Sequence, residues 1–256
     1  MNKTKIDWCD ATWNPVTGCL NGCEYCYARK IAHRFGQSWK ADGTRHVVDQ
    51  SRVLLYYEAA RHTGPYPYGF DPTLYLDRLS DPVKYLKPQN VFVCSMADLF
   101  GDWVPHGWIR QVFEACESAR QHTYLFLTKN PERYLRIAQN DRLPPQHWYG
   151  TTATSPLDPL LYSDAHKTFI SIEPILEPFE GKPSSDFFLA ADWVIIGAET
   201  GNRPGKVVPP RWWIEQIADV CAERELPLYM KSSLAPIWGE PLIQQWPKEL
   251  KTEAKE

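Results

Sequence analysis

The amino-acid sequence predicts an α/β fold in the form of a partial parallel (βα)6-type barrel with one peripheral insertion. Short apolar runs recur along the chain at intervals that leave room for a helix between them, the pattern of parallel strands joined by crossovers. Hydrophobicity within these runs is continuous instead of alternating, which indicates strands covered on both faces. The runs predicted as strands are 12–18, 90–95, 122–128, 148–152, 168–173, 192–197 and 227–231.

Helices are predicted between these strands wherever apolar residues return with helical spacing. They cover 27–35, 108–120 and 211–225. The segment 37–88 interrupts the alternation and is predicted to be an insertion peripheral to the sheet, with a helix around 51–61. The polar and charged tail, 244–256, is predicted to be helical or frayed.

Composition indicates one globular domain. Of the 256 residues, 43% are hydrophobic and 23% are charged, so the chain can bury a core as a single α/β domain over residues 1–256. It has no apolar run of about 18 residues for a membrane span, and residues 1–8 lack the apolar core of a signal peptide. We therefore expect a cytoplasmic protein with no membrane partner.

The net charge limits the classes of partner. A formal charge of −3 gives no global attraction to phosphate, which argues against indiscriminate coating of nucleic acid. A local concentration of positive charge is interpreted either as a solvated helix face or as a surface for an anionic substrate. It consists of Arg29, Lys30, His33, Arg34, Lys40, Arg45 and His46.

The cysteines carry the strongest chemical signal. Seven cysteines in a chain without an export signal are better interpreted as metal ligands, catalytic thiols or core residues than as disulfides. Cys19, Cys23 and Cys26 form a C-x3-C-x2-C run. Three thiolates at this spacing can hold one [4Fe-4S] cluster from a single loop and leave its fourth iron without a protein ligand. That open iron invites a small-molecule ligand.

The run TGCLNGCEYCYARKIAHRF, at 17–35, resembles the signature of the radical SAM superfamily, including an aromatic residue, Tyr25, directly before the last cysteine. The resemblance implies a [4Fe-4S] cluster and S-adenosylmethionine as cofactors, with Tyr25 beside the adenine. It also implies a barrel of the radical SAM kind and an electron donor for the cluster. The implied chemistry is reductive cleavage of S-adenosylmethionine to a 5′-deoxyadenosyl radical that abstracts hydrogen from a substrate.

Other interpretations of the cysteines stay open. A structural zinc site is one, with Cys9 or His33 as fourth ligand, and a closed [4Fe-4S] cluster using Cys9 is another. The corresponding functions are a metal-stapled binding or assembly protein without S-adenosylmethionine chemistry and an enzyme that uses the cluster for electron transfer.

The chain also resembles, almost from end to end, the phage Gp37/Gp68-like family (DUF5131 type). The resemblance rests on the sequence segments IDWCDATWNPVTGC, VFVCSMADLFGDWVP, HTYLFLTKNPERY, FISIEPIL and DWVIIGAETGNRPGK. Members of that family often have a longer gap between the first two cysteines, and an asparagine where this chain has Cys94. Together with a general similarity to spore photoproduct lyase-like radical enzymes, the phage association implies a nucleobase, nucleotide or DNA substrate.

Polar residues follow nearly every predicted strand, where a parallel βα barrel gathers its reacting groups. The superfamily resemblance implies that Ser95 and Asp98 contact S-adenosylmethionine, and Glu173 and Glu199 are candidates for ribose hydroxyls or the substrate. Each of these side chains can equally be a helix cap or a member of an ion pair.

Further candidates lie beside these positions. Lys129 and Lys231 are candidates to neutralise a carboxylate or phosphate and to act in catalysis. Cys94 is a candidate hydrogen-atom donor, although a core role is favoured because buried cysteine is common. The glycine-rich segment 197–205 is interpreted either as a nest of backbone amides or as a plain turn.

Overall fold

The structure is a computed structural model that describes residues 1–36, 52–54, 65–140, 143–179, 187–239 and 241–250. The chain divides into two compact units. The first consists of Met1–Thr4 and Asp10–Tyr124, and the second of Lys5–Cys9 and Leu125–Glu256. The expectation of one domain over the whole chain stays a prediction.

The first unit combines parallel strands with a separate small sheet. Its strands are β1 (Asn2–Lys3), β2 (Ala11–Trp13), β3 (Val16–Thr17), β4 (Arg52–Leu54), β5 (Thr73–Tyr75) and β6 (Asn90–Val93). β1 pairs antiparallel with β2, and β2 pairs parallel with β6. The small sheet has the order β3-β5-β4. The helices of this unit are α1 (Tyr27–Phe35) and α2 (His106–Glu117), with 3-10 turns at Leu76–Ser80 and Pro82–Lys84.

The first predicted strand, 12–18, is wrong as a single element. It is divided into β2 and β3, because Pro15 has no backbone amide to donate to a ladder. The Pro15 carbonyl instead accepts a hydrogen bond from the Tyr75 amide at 2.8 Å, which directs β3 into the small sheet with β5.

The predicted insertion takes part in this small sheet. The helix expected around 51–61 is wrong at Arg52–Leu54, which is a strand paired in parallel with β5, so pairing between distant segments overrides local helical preference. Residues 51 and 55–61 lie outside the described residues. Because β5 also belongs to the predicted insertion, that segment contributes directly to the sheet that contains β3.

The second unit is a succession of parallel strands. They are β7 (Thr123–Thr128, within this unit from Leu125), β8 (Trp148–Ala153), β9 (Lys167–Ile172), β10 (Trp193–Ile196) and β11 (Leu228–Met230). These strands follow one another in the order β7-β8-β9-β10-β11, and each neighbouring pair is parallel. The helices are α3 (Glu132–Asn140), α4 (Arg211–Glu223) and α5 (Ala235–Trp238), with 3-10 turns at Phe188–Ala190, Ser232–Leu234 and Lys248–Leu250.

The core of the second unit explains the continuous hydrophobic runs. Every residue of β10 is buried, and Val194 and Ile196 pack in one cluster with Ile214 and Ile217 of α4. Strands covered in this way have no solvent-facing side, which is why their sequence does not alternate. The predicted α/β class is therefore confirmed, with mostly parallel strands and with α-helices at several of the connections between them.

The tail of the chain packs onto this unit. Gln244 forms an antiparallel bridge with Tyr229, and the Gln245 amide donates to the Leu228 carbonyl at 2.8 Å. The prediction of a helical or frayed tail is therefore wrong for Gln244 and Gln245, while 251–256 lie outside the described residues. No helix in the described part of the chain is long and apolar enough to cross a membrane.

Candidate functional site

The cysteine loop, defined as residues 18–26, joins β3 to α1. It starts at Gly18, whose φ is +87°. A Cβ atom there would lie 2.2 Å from the Asp71 carbonyl oxygen, so that only glycine fits. The chain turns sharply at this point and presents Cys19, Cys23 and Cys26 with part of each side chain exposed.

Cys19 and Cys26 pack against the same small apolar cluster, which contains Ala28, Phe70 and Met96. This shared contact brings the two ends of the C-x3-C-x2-C run to one patch of the first unit. It is the arrangement expected of a loop that wraps one group with several side chains.

Burial raises the pKa of the Cys19 thiol to about 12. A hydrogen bond with the Asn21 backbone lowers the Cys19 pKa, while the nearby Asp98, Cys23 and Cys26 raise it. A metal ligand must be a thiolate, so binding at Cys19 has to displace a proton. Negative charge on Cys23 or Cys26 would oppose ionisation of Cys19, so three thiolates together need a metal to balance their charge.

Cys26 is the N-cap of α1. Its Sγ accepts a hydrogen bond from the Arg29 amide at 3.3 Å, and its own amide donates to the Cys23 carbonyl at 3.3 Å. The sulfur therefore lies at the N-terminus of α1, the positive end of the helix dipole.

Residues 95–98, which we call the 95–98 turn, hold the cysteine loop at three places. The Gly18 amide donates to the Met96 carbonyl at 2.9 Å. The Asn21 side-chain amide donates to Asp98 Oδ2 at 3.0 Å, and the Tyr27 hydroxyl donates to the Ser95 carbonyl at 2.7 Å. The start and the middle of the loop, and the residue that follows its end, are thus tied to one short segment.

Asn14 fixes the 95–98 turn in its place. Asn14 Oδ1 accepts hydrogen bonds from Ser95 Oγ at 3.2 Å and from the Met96 amide at 3.0 Å. The Asn14 carbonyl accepts from Arg78 at 3.0 Å, and the Arg78 guanidinium lies 3.6 Å from the centre of the Tyr75 ring. These hydrogen bonds of Asn14 were not predicted from the sequence. The only signal for them was a polar residue close to the cysteines.

The predicted contacts of S-adenosylmethionine in the first unit have partners within the protein. Ser95 donates to Asn14, and Asp98 accepts from Asn21 and from the Phe100 amide, the latter at 3.1 Å. Tyr25 lies in the loop and is half-buried. Their assignment to S-adenosylmethionine stays a prediction.

The donor set fits an iron–sulfur cluster in its chemistry, because three thiols lie on one loop beside a helix N-terminus. Among the described residues, however, no group of three or more His, Cys, Asp or Glu side chains is arranged to hold a metal ion. Loading therefore requires the three thiols to turn toward one another. Cys9, a candidate fourth ligand, is buried and its thiol donates to the Ile6 carbonyl at 3.8 Å, whereas His33 is exposed on α1.

Cys94 opens the 95–98 turn in a left-handed conformation with φ of 60°. Its side chain is buried, with 3% of the residue exposed, and burial raises the pKa of its thiol to about 12. These features agree with the favoured core role. Direct hydrogen-atom donation from Cys94 to a substrate would require the buried sulfur to become accessible.

In the second unit, three neighbouring strand ends form what we call the strand-end cluster. It consists of Glu173 after β9, Gly197 after β10, and Lys231 and Ser233 after β11. Lys231 Nζ donates to Glu173 Oε1, and the Ala198 amide donates to Ser233 Oγ at 3.1 Å. A Cβ atom at Gly197 would lie 3.1 Å from Lys231 Cδ and 3.4 Å from Glu173 Cγ. The absence of a side chain at Gly197 therefore leaves space for the ion pair of Lys231 with Glu173.

Glu199, the other candidate carboxylate, is held by an arginine that sequence reasoning missed. Arg203 Nε and Nη2 donate to Glu199 Oε1 and Oε2 at 2.8 and 2.9 Å. This fork lowers the pKa of the Glu199 carboxyl. Arg203 also donates to the Pro204 and Gly205 carbonyls, so the segment 197–205 is folded around its own side chain. Lys129 directly follows β7 and is half-buried.

Comparison with known proteins yields a matching family and several similar solved structures. The family described as "Protein of unknown function (DUF5131)" matches residues 3–253, and this match does not extend to the Gp37/Gp68-like name. No curated protein matches the chain significantly.

The solved structures are mutants of spore photoproduct lyase. One is 12% identical with a TM-score of 0.46 and covers 77% of this chain. Another, with bound AdoMet and dinucleoside spore photoproduct, is 11% identical with a TM-score of 0.47 and covers 84% of this chain. This chain spans 58% and 62% of the lengths of those two proteins.

Proposed function

This chain belongs to the DUF5131 family, and from that premise we propose that it is a radical S-adenosylmethionine enzyme with a [4Fe-4S] cluster held by Cys19, Cys23 and Cys26. The observation that carries the proposal is the cysteine loop itself. Three partly exposed thiols lie between a glycine-only turn and the N-terminus of α1, and the 95–98 turn holds the chain at both ends of the loop. A rigid frame around partly exposed thiols is what a three-cysteine site needs.

When bound, the cluster and S-adenosylmethionine supply a 5′-deoxyadenosyl radical by reductive cleavage of a carbon–sulfur bond. The chain's residues would hold and orient these groups. Cys19, Cys23 and Cys26 provide the sulfur ligands, and Tyr25 provides an aromatic face for the adenine.

The remaining predicted contacts keep their assignments as parts of this proposal. Ser95 and Asp98 would contact the methionyl part of S-adenosylmethionine, and Glu173 and Glu199 would contact ribose hydroxyls or the substrate. Because each already has a partner within the protein, a ligand has to exchange those hydrogen bonds for its own. Lys129 and Lys231 would neutralise an anionic group of the substrate.

The proposed substrate class is a nucleobase, nucleotide or DNA, which rests on the resemblance to phage proteins and to spore photoproduct lyase-like enzymes. Stimulation of S-adenosylmethionine cleavage by nucleosides, oligonucleotides or duplex DNA tests it. Stimulation by a peptide or another metabolite alone would remove this class.

The experiment that tests the enzyme class is anaerobic reconstitution with iron and sulfide. Electron paramagnetic resonance of the reduced protein with and without S-adenosylmethionine, and chromatography for 5′-deoxyadenosine, are the readouts. We expect about four irons per chain, a signal that S-adenosylmethionine perturbs, and product that disappears in Cys23→Ala. Cys221→Ala, which removes a buried thiol of the second unit, is the matched control and keeps the cluster.

A second candidate is a binding or assembly protein in which a metal only staples the cysteine loop. A structural zinc ion would need a fourth ligand beside the three thiols, and Cys9 or His33 would have to provide it. Stoichiometric zinc, or a cluster indifferent to S-adenosylmethionine, would support this candidate over the enzyme. A cluster that cycles electrons but needs Cys9 would indicate an electron carrier.

A further inference from the structure

Helix α1 has one buried and one exposed face. Ala28 and Ala32 are buried against the small apolar cluster beside Cys19 and Cys26. Beside this buried face, Tyr27, Ile31 and Phe35 are 47%, 37% and 54% exposed. Residues four apart lie on one side of a helix, so these three form a continuous apolar stripe in contact with water.

A basic stripe runs beside the apolar one. Lys30 and Arg34, also four apart, are exposed next to it. The helix Tyr27–Phe35 contains no acidic residue, and Glu24 is the acidic side chain that precedes it. In a chain with a net charge of −3, this is a local reversal of sign.

The position and size of the surface restrict its partner. It begins one residue after Cys26, so that whatever binds there lies next to the proposed cluster. Nine residues of helix are about 13 Å long, which suits the small contacts of transient redox encounters. An exposed apolar stripe with a charged border is the anatomy of a protein interface. A nucleic-acid strand would instead need a longer basic groove that follows its phosphates.

We propose that the exposed face of α1 is the docking surface for an acidic one-electron carrier protein that reduces the cluster. This inference rests on the proposed function, since a cluster that cleaves S-adenosylmethionine must first receive an electron. The carrier loses one electron and is oxidised, the cluster gains that electron, and no proton or group moves between the proteins. Acidic side chains of the carrier are steered by Lys30 and Arg34, and its apolar centre covers Tyr27, Ile31 and Phe35.

The experiment uses the full chain reconstituted with iron and sulfide, and reduced flavodoxin as the acidic carrier. Stopped-flow absorbance of the cluster measures the reduction rate at low and high salt. In Lys30→Glu/Arg34→Glu we expect a loss of about tenfold or more in rate at low salt and a weaker dependence on salt. Lys87→Glu/Arg110→Glu carries the same change in net charge on other exposed positions of the first unit and should behave as the wild type.

Chemical reduction separates this inference from the proposed function. Dithionite, which needs no docking surface, should reduce the cluster equally in all variants, with equal formation of 5′-deoxyadenosine. Lys30→Gln/Arg34→Gln, a milder change, should give an intermediate rate with flavodoxin and guards against a folding defect in the charge reversal. No cluster, or no 5′-deoxyadenosine with dithionite, would overturn the proposed function and the docking surface with it.

Two results would overturn the docking surface alone. One is reduction by flavodoxin at the same rate in the α1 variant and in its matched control, while dithionite still supports cleavage. The other is binding of a labelled oligonucleotide that the α1 substitutions abolish while reduction by flavodoxin is unchanged, which would assign this face to nucleic acid.

Discussion

The cysteine loop of the first unit and the strand-end cluster of the second unit hold their reactive groups in different ways. The loop is held by hydrogen bonds from backbone amides and from the side chains of Asn21 and of Tyr27, the residue after the loop. The thiols themselves stay partly exposed. In the strand-end cluster the candidate groups hold each other, as in the pair of Lys231 with Glu173. Thiols held by a surrounding frame remain available to coordinate a metal. At the paired charges, a small molecule has to compete with the partner that each side chain already has.

The largest expected effect separates the two roles of Cys26. Cys26→Ala removes a proposed iron ligand and the cap of α1, so we expect loss of the cluster and about 1 kcal/mol lower stability of the protein. Cys26→Ser also loses the cluster but keeps an oxygen that can cap the helix, so its stability stays near that of the wild type. Iron content and thermal unfolding measure the two effects. Equal destabilisation in both variants would show that the cap contributes nothing.

The next effect probes the paired charges. Lys231→Met or Glu173→Gln alone leaves a half-buried partner without its counterpart, and we expect each to cost about 1 to 3 kcal/mol in unfolding free energy. The double variant should cost less than the sum of the singles. Chemical denaturation of the four proteins measures this coupling. Strict additivity would mean that the pair is not formed in solution.

A smaller effect is expected when the frame of the cysteine loop is loosened. Asn21→Ala removes the hydrogen bond to Asp98 Oδ2, so Cys19 and Cys23 should react several-fold faster with an alkylating reagent. Mass spectrometry of the labelled chain measures the rates for each thiol. Asn202→Ala, at an exposed position of the second unit, is a control of the same type. Unchanged rates in Asn21→Ala would remove this hydrogen bond from the frame.

The smallest effect depends on pH. Because hydrogen bonds from Arg203 lower the pKa of Glu199, they stabilise the fold above the ordinary carboxyl pKa, and this contribution is lost as pH falls through the lowered value. The difference in thermal midpoint between the wild type and Arg203→Gln should therefore be largest at neutral pH and shrink in acid. A difference that does not change with pH would contradict this origin.

The sequence predicts most where contacts are local. The predicted bounds of α1 agree with the structure, and the continuous apolar runs around β6 to β11 are buried strands. The assignment of the three cysteines to one cluster, which rests on their spacing and on the signature around them, stays a prediction. Local pattern is sufficient for these features because helix periodicity and strand burial are repeated over neighbouring residues.

The errors concern partners that are distant in the chain. Asn21 and Asp98 are 77 positions apart in the sequence, and Glu173 and Lys231 are 58 positions apart. No local sequence pattern can therefore predict either contact. The strand at Arg52–Leu54 depends on β5, and a short segment without its partner has no clear preference. Arg203 is close to Glu199 in sequence, but only the folded turn shows that it binds both carboxylate oxygens.

Cys26 is both a proposed iron ligand and the N-cap of α1, and this has a consequence for the evolution of the family. Replacement of the Cys26 sulfur by oxygen would leave a serine that still starts α1, while the loop has one proposed iron ligand fewer. A member of the family could therefore lose the proposed cluster and still keep the fold. Among relatives, resemblance in shape would then be a poor guide to retained activity, and the residue at this one position would be the better guide.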